Sequence, residues 1–394
     1  MINKLITIIF LVISSCINAT AQANIDTVLA QIGKNNKTIQ ATVQYYEAQK
    51  LLFKTGNSPA NPTVEYDFLK GSPSNAGNQN DLTITQQFDF PSAYIKKSQL
   101  AKTQTAQIQF QLTASRQDIL LQAKNYCFEL IFQNKLQKQL SQQKQNSEKI
   151  LADFQTKLDK GDGNILDVNK AKLQLIEVHK QVQQNISDIN QLNQKLTELN
   201  GGVQIMLSDT LYPALPSIPA FDQLESDYEV ADPLRKVLEH QKLISQKQLE
   251  LSKSMWLPKM ELGYHYQGIL GQTYNGIHTG ISIPLWENKN TVKQKEAQLL
   301  FSDLEYQTHL NEHYFHIKHI YEKYSNLKIT FQEYQSVFAT INNTTLLNKA
   351  LSLGEITSIQ YFTEINYYNS AFVNYLTTEK EYYQTIAELY KYKL

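Results

Sequence analysis

The residues with the most evident chemical potential are four histidines, His309, His313, His316 and His319, spaced i, i+4, i+7 and i+10 in a stretch without Pro or Gly. On a helix this spacing gathers them roughly on one face, and neutral imidazoles at i, i+4 can hold a divalent metal. No carboxylate or Cys completes a convincing ligand set in the sequence, although Glu312 is adjacent. A packing or wall-forming role is therefore preferred and no metal site is assigned. The two cysteines, Cys16 and Cys127, cannot supply a disulfide framework for a chain of 394 residues. Cys127 lies in a helical context and reads as a packed core thiol. There is no G-x-S-x-G, no H-E-x-x-H and no phosphate-binding Gly loop, so neither enzymatic activity nor a cofactor is expected.

The elements that carry these residues belong to an exported chain. Met1-Ile-Asn-Lys4 is a short basic start, and Leu5 to Ile13 is an apolar run too short to span a bilayer with the usual flanks. Two processing readings compete. Ala19-Thr-Ala21 is an A-x-A cleavage site, making 1–21 a signal peptide; Ile13-Ser-Ser-Cys16 resembles a lipobox, in which Cys16 would be lipidated. The first is preferred, because a Cys in a signal peptide is unremarkable by chance. No later apolar run is long enough for a transmembrane helix. With 37 basic and 37 acidic residues the formal net charge is +0, and mean hydropathy is −0.41. That balance argues against a nucleic-acid partner, which needs a clustered basic face.

The chain is internally duplicated. Pro62 to Lys70 and Pro258 to Tyr266 each begin with Pro and alternate with period two. Each leads through a Gly/Asn-rich loop (Gly71 to Asn80, Gly268 to Gly276) into a second alternating run, Leu82 to Phe90 or Ile277 to Ile283, which stops at Pro91 or Pro284. The interval from Pro91 to Gly161 equals that from Pro284 to Gly354. Within these intervals Ser92 to Lys160 and Leu285 to Leu353 contain no Pro or Gly. Each would form a rod of roughly 100 Å if continuous. After each Gly a helical run returns, Ile165 to Asn200 and Ser358 onward, as in an antiparallel helical hairpin. Shorter helices are expected at about 25–54 and 232–254. The expected organisation is a first repeat over 22–200 (strands about 62–70 and 81–90, helical hairpin 92–200) and a Gly- and Pro-rich linker over 201–229. A second repeat follows over 230–394 (strands about 258–267 and 276–283, helical hairpin 285–394). The expected fold class is mainly α with a small β part.

The strands are amphipathic. Val64, Tyr66 and Phe68 oppose Glu65 and Asp67; Leu82, Ile84, Phe88 and Phe90 oppose Thr83, Thr85, Gln87 and Asp89. Met260, Leu262, Tyr264 and Tyr266 oppose Lys259, Glu261 and His265; Ile277, Ile281 and Ile283 oppose His278, Gly280 and Ser282. Three of the four runs have the about nine residues of a tilted membrane-barrel strand, and Ile277 to Ile283 is somewhat shorter. Trp256 and Trp286 flank the same end of the second hairpin, where an interfacial aromatic belt would lie. A soluble sheet with one wet face alternates in the same way, and four strands cannot close a barrel with a lumen, so the barrel reading requires oligomers. The long helices are polar with a narrow apolar stripe, as at Leu136 and Leu140, which suits a coiled-coil wall.

Taken together, the duplicated hairpins ending at Pro91 and Pro284 and the turns Lys160-Gly-Asp-Gly-Asn-Ile-Leu-Asp-Val168 and Leu353-Gly-Glu-Ile-Thr-Ser-Ile-Gln-Tyr361 resemble the TolC family of outer-membrane efflux proteins. The resemblance covers essentially the whole mature chain. It implies a homotrimer in the outer membrane of a Gram-negative bacterium, with a twelve-stranded β-barrel in contact with lipid and a twelve-helix α-helical periplasmic barrel. It implies that the turns at Gly161, Asp162 and Gly163 and at Gly354 and Glu355 contact a periplasmic adaptor, which bridges to an inner-membrane pump of the resistance-nodulation-division type. It also implies an aperture lined by Asp167, Lys170, Gln360 and Thr363. Some family members carry acidic rings at the positions of Gln360 and Thr363, so this aperture is expected to be less acidic. The stretch Leu347 to Leu394 is similar to both the heavy-metal and the drug branches. The cargo is left open between small molecules and metal ions, with a protein-secretion duct, or less readily a soluble periplasmic scaffold, as alternatives.

Overall fold

The computed structural model describes residues 24–341 and 343–394. The segment 1–21, expected to be a signal peptide, and Cys16 within it lie outside the described residues. The order is α1 (Ile25–Asn35), α2 (Lys37–Lys54), β1 (Thr63–Leu69), β2 (Gln79–Phe88), α3 (Pro91–Asp159), α4 (Ile165–Leu199), α5 (Phe221–Ala231), α6 (Pro233–Ser254), β3 (Lys259–Ile269), β4 (Gln272–Ser282), α7 (Thr291–Phe338), α8 (Asn343–Leu353) and α9 (Ser358–Leu389). The described residues are mainly helical, with one small antiparallel sheet.

α3 runs unbroken for 69 residues. Pro91 begins it, at a position whose N–H has no helical acceptor to lose, and nothing within it breaks the ladder until Gly161. The matching stretch in the second half behaves differently. Residues 285–290 are turns, with Asn290 at φ 66°. α7 then ends at Phe338 and the helix resumes only at Asn343. The expected continuous helix over 285–353 is thus broken. The break falls where Thr340, Ile341, Asn343, Thr344 and Thr345 are β-branched or offer side-chain hydrogen bonds that compete with the helix. Thr340 shows this directly, its N–H and Oγ1 both turning back to the Val337 carbonyl at 3.0 and 2.9 Å.

Three further differences have local causes. The helix expected at about 25–54 is divided at Asn36, whose Oδ1 accepts from Ile39 N–H at 2.9 Å while its Nδ2 reaches the Leu199 carbonyl at 2.7 Å. The segment read as linker contains α5. The loop expected from Gly268 to Gly276 contracts to Leu270-Gly271, both at positive φ (50° and 82°), the conformation of a two-residue turn that matches strand twist.

The chain divides into two compact units. One holds residues up to Gln40 with Gln117–Pro219 and His319–Leu394; the other holds Ala41–Arg116 and Ala220–Lys318. The first has a core of Val28, Ile32, Ala123, Cys127, Phe128, Ile131 and Leu196, joined by Ile205 and Leu207 of the extended linker. The linker is held without a ladder of its own. Asn134 Nδ2 donates to the Leu207 and Asp209 carbonyls at 3.3 and 3.0 Å, and Tyr390 OH to that of Ser217 at 2.9 Å. Leu136 and Leu140 pack with Val178 and Val182 along α3 and α4, whereas the seam between α7 and α9 is a ladder of rings in which Phe331 stacks on Tyr375 and Tyr382.

The second unit carries the sheet, ordered β1-β2-β3-β4 and antiparallel throughout. β2 pairs with β3, so the two hairpins, far apart in sequence, form one surface. The register aligns Val64, Ile84, Tyr264 and Ile277 in one row and Tyr66, Leu82 and Tyr266 in the next.

Candidate functional site

Because side chains alternate across a strand, this register gathers the apolar residues of both hairpins on one face. Val64, Tyr66, Phe68, Ile84, Leu262, Tyr264, Ile277 and Ile281 are all exposed, Ile277 at 81% and Val64 at 64%. An apolar patch running across four strands is far beyond the scattered exposed hydrophobics of an ordinary surface. The other face is polar. Glu65, Thr83 and His265 share a row, with Thr83 Oγ1 and His265 Nδ1 2.8 Å apart. Asp67 lies opposite Asp81, and His278 Nε2 approaches Glu261 Oε1 at 3.3 Å. Neither outer edge, β1 nor β4, has a strand partner among the described residues. Trp256 precedes β3 and Trp286 follows β4, at the end where Lys259 pairs with Ser282, and both are exposed.

The turns after α3 and after α8 are built identically. Gly161 N–H donates to the Leu158 carbonyl and Asp162 N–H to that of Lys157, both at 3.0 Å. Gly354 N–H donates to the Leu351 carbonyl at 3.2 Å and Glu355 N–H to that of Ala350 at 2.9 Å. This paired closure needs a residue in the left-handed region, and the two glycines have φ 82° and 74°. Each turn then starts a capped helix. Asn164 Oδ1 accepts from Leu166 N–H at 2.9 Å; Thr357 Oγ1 accepts from Gln360 N–H at 3.2 Å while Gln360 Oε1 accepts from Thr357 N–H at 2.9 Å, a capping box. Gly163 is glycine for a different reason: a Cβ there would lie 2.4 Å from the backbone nitrogen of Leu158.

Among the residues expected at an aperture, the structure brings Asp167 to the other turn, where it accepts a hydrogen bond from Ser358 Oγ. Gln360 is occupied with its own helix cap. Lys170 and Thr363 are exposed, and Thr363 Oγ1 returns to the Ile359 carbonyl at 2.9 Å. Beneath the turns Ile150, Phe154, Val168, Tyr361, Phe362 and Ile365 form a core shared by both helical hairpins. Sequence reading missed Leu166 and Ile359, 68% and 63% exposed, each the second residue of its helix, α4 or α9. Aligning the two halves on Gly161 and Gly354 would have found them.

The histidine row finds a carboxylate that sequence spacing hid. Asp232 Oδ2 lies 3.4 Å from His309 Nε2 and 3.8 Å from His313 Nε2. Its carboxylate also caps α6, accepting from Leu234 and Arg235 N–H at 3.0 Å. Burial acts to raise the Asp232 pKa, but the hydrogen bonds from His309 and the two backbone N–H groups prevail and lower it. Burial lowers His313, with Asp232 opposing and His309 and His316 reinforcing the shift. Among the described residues no group of three or more His, Cys, Asp or Glu could hold a metal ion; these side chains pack and cap. Cys127 is buried and its thiol is pushed up to about 12 by burial, as a core thiol should be. No helix among the described residues is long and apolar enough to cross a membrane.

No family model and no curated protein matches the chain in sequence. Solved structures do match. The chain resembles CusC, whose crystal structures follow folding and transmembrane channel formation, with a TM-score of 0.78 and 14% identity over 95% of this chain and 92% of that one. It resembles a membrane protein from Pseudomonas aeruginosa with a TM-score of 0.79 and 12% identity, over 93% and 89%. It also resembles the CmeC outer membrane channel of Campylobacter jejuni with a TM-score of 0.72 and 15% identity, over 93% and 85%. Identity this low speaks for the fold alone, and on that level the resemblance drawn from the hairpins and turns holds: this chain has the TolC-type fold of the outer-membrane channels.

Proposed function

We propose that this chain is the outer-membrane channel of a tripartite export system, a passive duct for small molecules or metal ions. The observation that carries the reading is the exposed apolar sheet face with both edge strands unpaired. In water such a face and such edges invite aggregation. In a bilayer the face meets lipid, and the edges are satisfied when β4 of one protomer pairs with β1 of the next, because hydrocarbon tolerates only closed barrels. Four strands enclose no lumen, so closure calls for several protomers, and the resemblance to the TolC family implies a homotrimer with twelve strands. The opposite face, with Glu65, Asp67, Asp81 and Glu261, then lines water, and the helices extend into the periplasm. Trp256 and Trp286 would sit at the membrane interface.

The two matching turns support a docking role at the periplasmic end. Leu166 and Ile359 present apolar side chains beside Gly161 and Gly354, where a periplasmic adaptor joined to an inner-membrane pump, of the resistance-nodulation-division type, would seat. Asp167, Lys170, Gln360 and Thr363 are then the residues of the aperture, with Asp167 tied to Ser358 of the same protomer. Fractionation tests the whole reading. The protein should appear in the outer membrane as a heat-sensitive trimer that conducts ions in planar bilayers; recovery as a soluble periplasmic monomer overturns it.

A further inference from the structure

The second unit already contains one junction between the two halves of the chain. β2 pairs with β3, and α3, which leaves β2, meets α6, which enters β3. Gln107 Nε2 donates to the Val237 carbonyl at 2.9 Å and to Gln241 Oε1 at 3.0 Å, and Lys96 Nζ donates to Glu250 Oε2 at 2.7 Å. The duplication gives each of these positions a counterpart in the other half. Pro91 and Gly161 match Pro284 and Gly354, which carries Gln107 to Leu300 on α7. Pro62 matches Pro258, which carries Val237 and Gln241 to Ala41 and Tyr45 on α2. These counterparts belong to the helices attached to the two edge strands, since α7 leaves β4 and α2 enters β1.

Where the inner junction is polar, its counterpart is apolar and exposed. Leu300 and Tyr45 both face solvent. Beside Leu300, exposed Ala297, Phe301, Leu304 and Thr308 recur along α7 at steps of four, three and four; on α2, exposed Ala41, Tyr45, Ala48 and Leu52 recur at the same steps, the spacing of a helix seam. The connections from α2 to β1 (55–62) and from β4 to α7 (283–290) are equal in length, so residues equally far from the sheet stand level. Counted in this way Tyr45 again falls opposite Leu300, and Ala48 opposite Ala297. The link from Lys96 to Glu250 has no such counterpart, because Lys289 and Lys54 stand there; apolar contact must suffice. A junction inside one chain can rely on polar pairs, whereas one between chains must offset lost translational and rotational freedom, which burial of Tyr, Leu and Phe surface does.

We propose that α2 of one copy packs antiparallel against α7 of the next, with Tyr45 on Leu300 and Ala48 against Ala297. Copies then join along a helical seam as well as through β4 and β1. The seam presupposes the pairing of edge strands proposed above. The test uses full-length protein in detergent carrying Tyr45→Cys and Leu300→Cys, singly and together, treated with a short bismaleimide. Cys127 is buried, so the single variants report the background. The double variant should give covalent dimers and trimers on denaturing gels, and the single variants monomers. Pairing Leu300→Cys with Glu47→Cys, on the far side of α2, should also give monomers. A trimer on native gels without these cross-links overturns the seam and leaves the channel reading standing, as when a foreign partner covers the two faces; absence of any trimer overturns both. Independently, Leu300→Asp should lower the temperature at which the trimer dissociates, and an unchanged temperature also overturns the seam.

Discussion

His313 is packed against the ring of Tyr228 and faces Asp232, and its burial lowers its pKa by disfavouring the charged form. Between the ordinary histidine value of about 6.5 and its lower folded value, the unfolded chain binds a proton that the folded chain does not. The contribution of His313 is therefore fully present above about pH 6.5 and is lost as pH falls through the folded value. The lowered Asp232 has the same sign further down, its contribution being lost as pH falls below the ordinary carboxylate range. Denaturation midpoints measured from pH 8 to pH 5 should fall more steeply for the wild type than for His313→Gln; parallel curves would remove His313 from the acid response. Asp232→Ala removes the cap of α6 and should cost about 1–2 kcal/mol at pH 7, measured by chemical denaturation. The histidine spacing was legible in sequence, but Asp232 was not, since nothing local links it to a helix so distant in the chain.

The two turns are the elements in which local sequence spoke most clearly. Gly161 and Gly354 each combine positive φ with open space around a would-be Cβ, so Ala at either should cost only about 1 kcal/mol. Gly163→Ala should cost more, about 1–3 kcal/mol, because the added carbon meets backbone that cannot step aside. Thermal melts of the three single variants check that order. Bulky residues at both Gly161 and Gly354 should abolish export while trimers still assemble, since these side chains point into open space where an adaptor would seat; normal export by the double variant removes the turns from the mechanism. The break in the second long helix was harder to read. Absence of Pro and Gly permits a helix but does not enforce one, and the run of Thr, Ile and Asn near 340–345 carried the warning in its weak helix preference. Likewise α5 is hard to tell from linker in sequence, because the prolines on its N-terminal side mark a loop.

At the scale of the molecule, the apolar sheet face is the feature on which the channel reading stands or falls. Ile277→Lys places a charge on that face at the midpoint of β4 and should cost on the order of 2–4 kcal/mol in a bilayer, reducing the outer-membrane trimer without altering the helical circular dichroism of the chain. Insertion at wild-type levels would mean that the face does not meet lipid. The sequence by itself determined the duplication, the amphipathic alternation of the strands, the amphipathic stripe of the helices and the positions of the turns. All of these arise from interactions between residues a few positions apart, or from the backbone limits of Gly and Pro. Only the tertiary structure decided that β2 pairs with β3 and merges two apolar faces into one, that Asp167 meets Ser358, and that Asp232 stands beside two histidines. Those depend on which distant surfaces come together, and strand register and helix packing are set by the summed fit of many side chains rather than by any local signal.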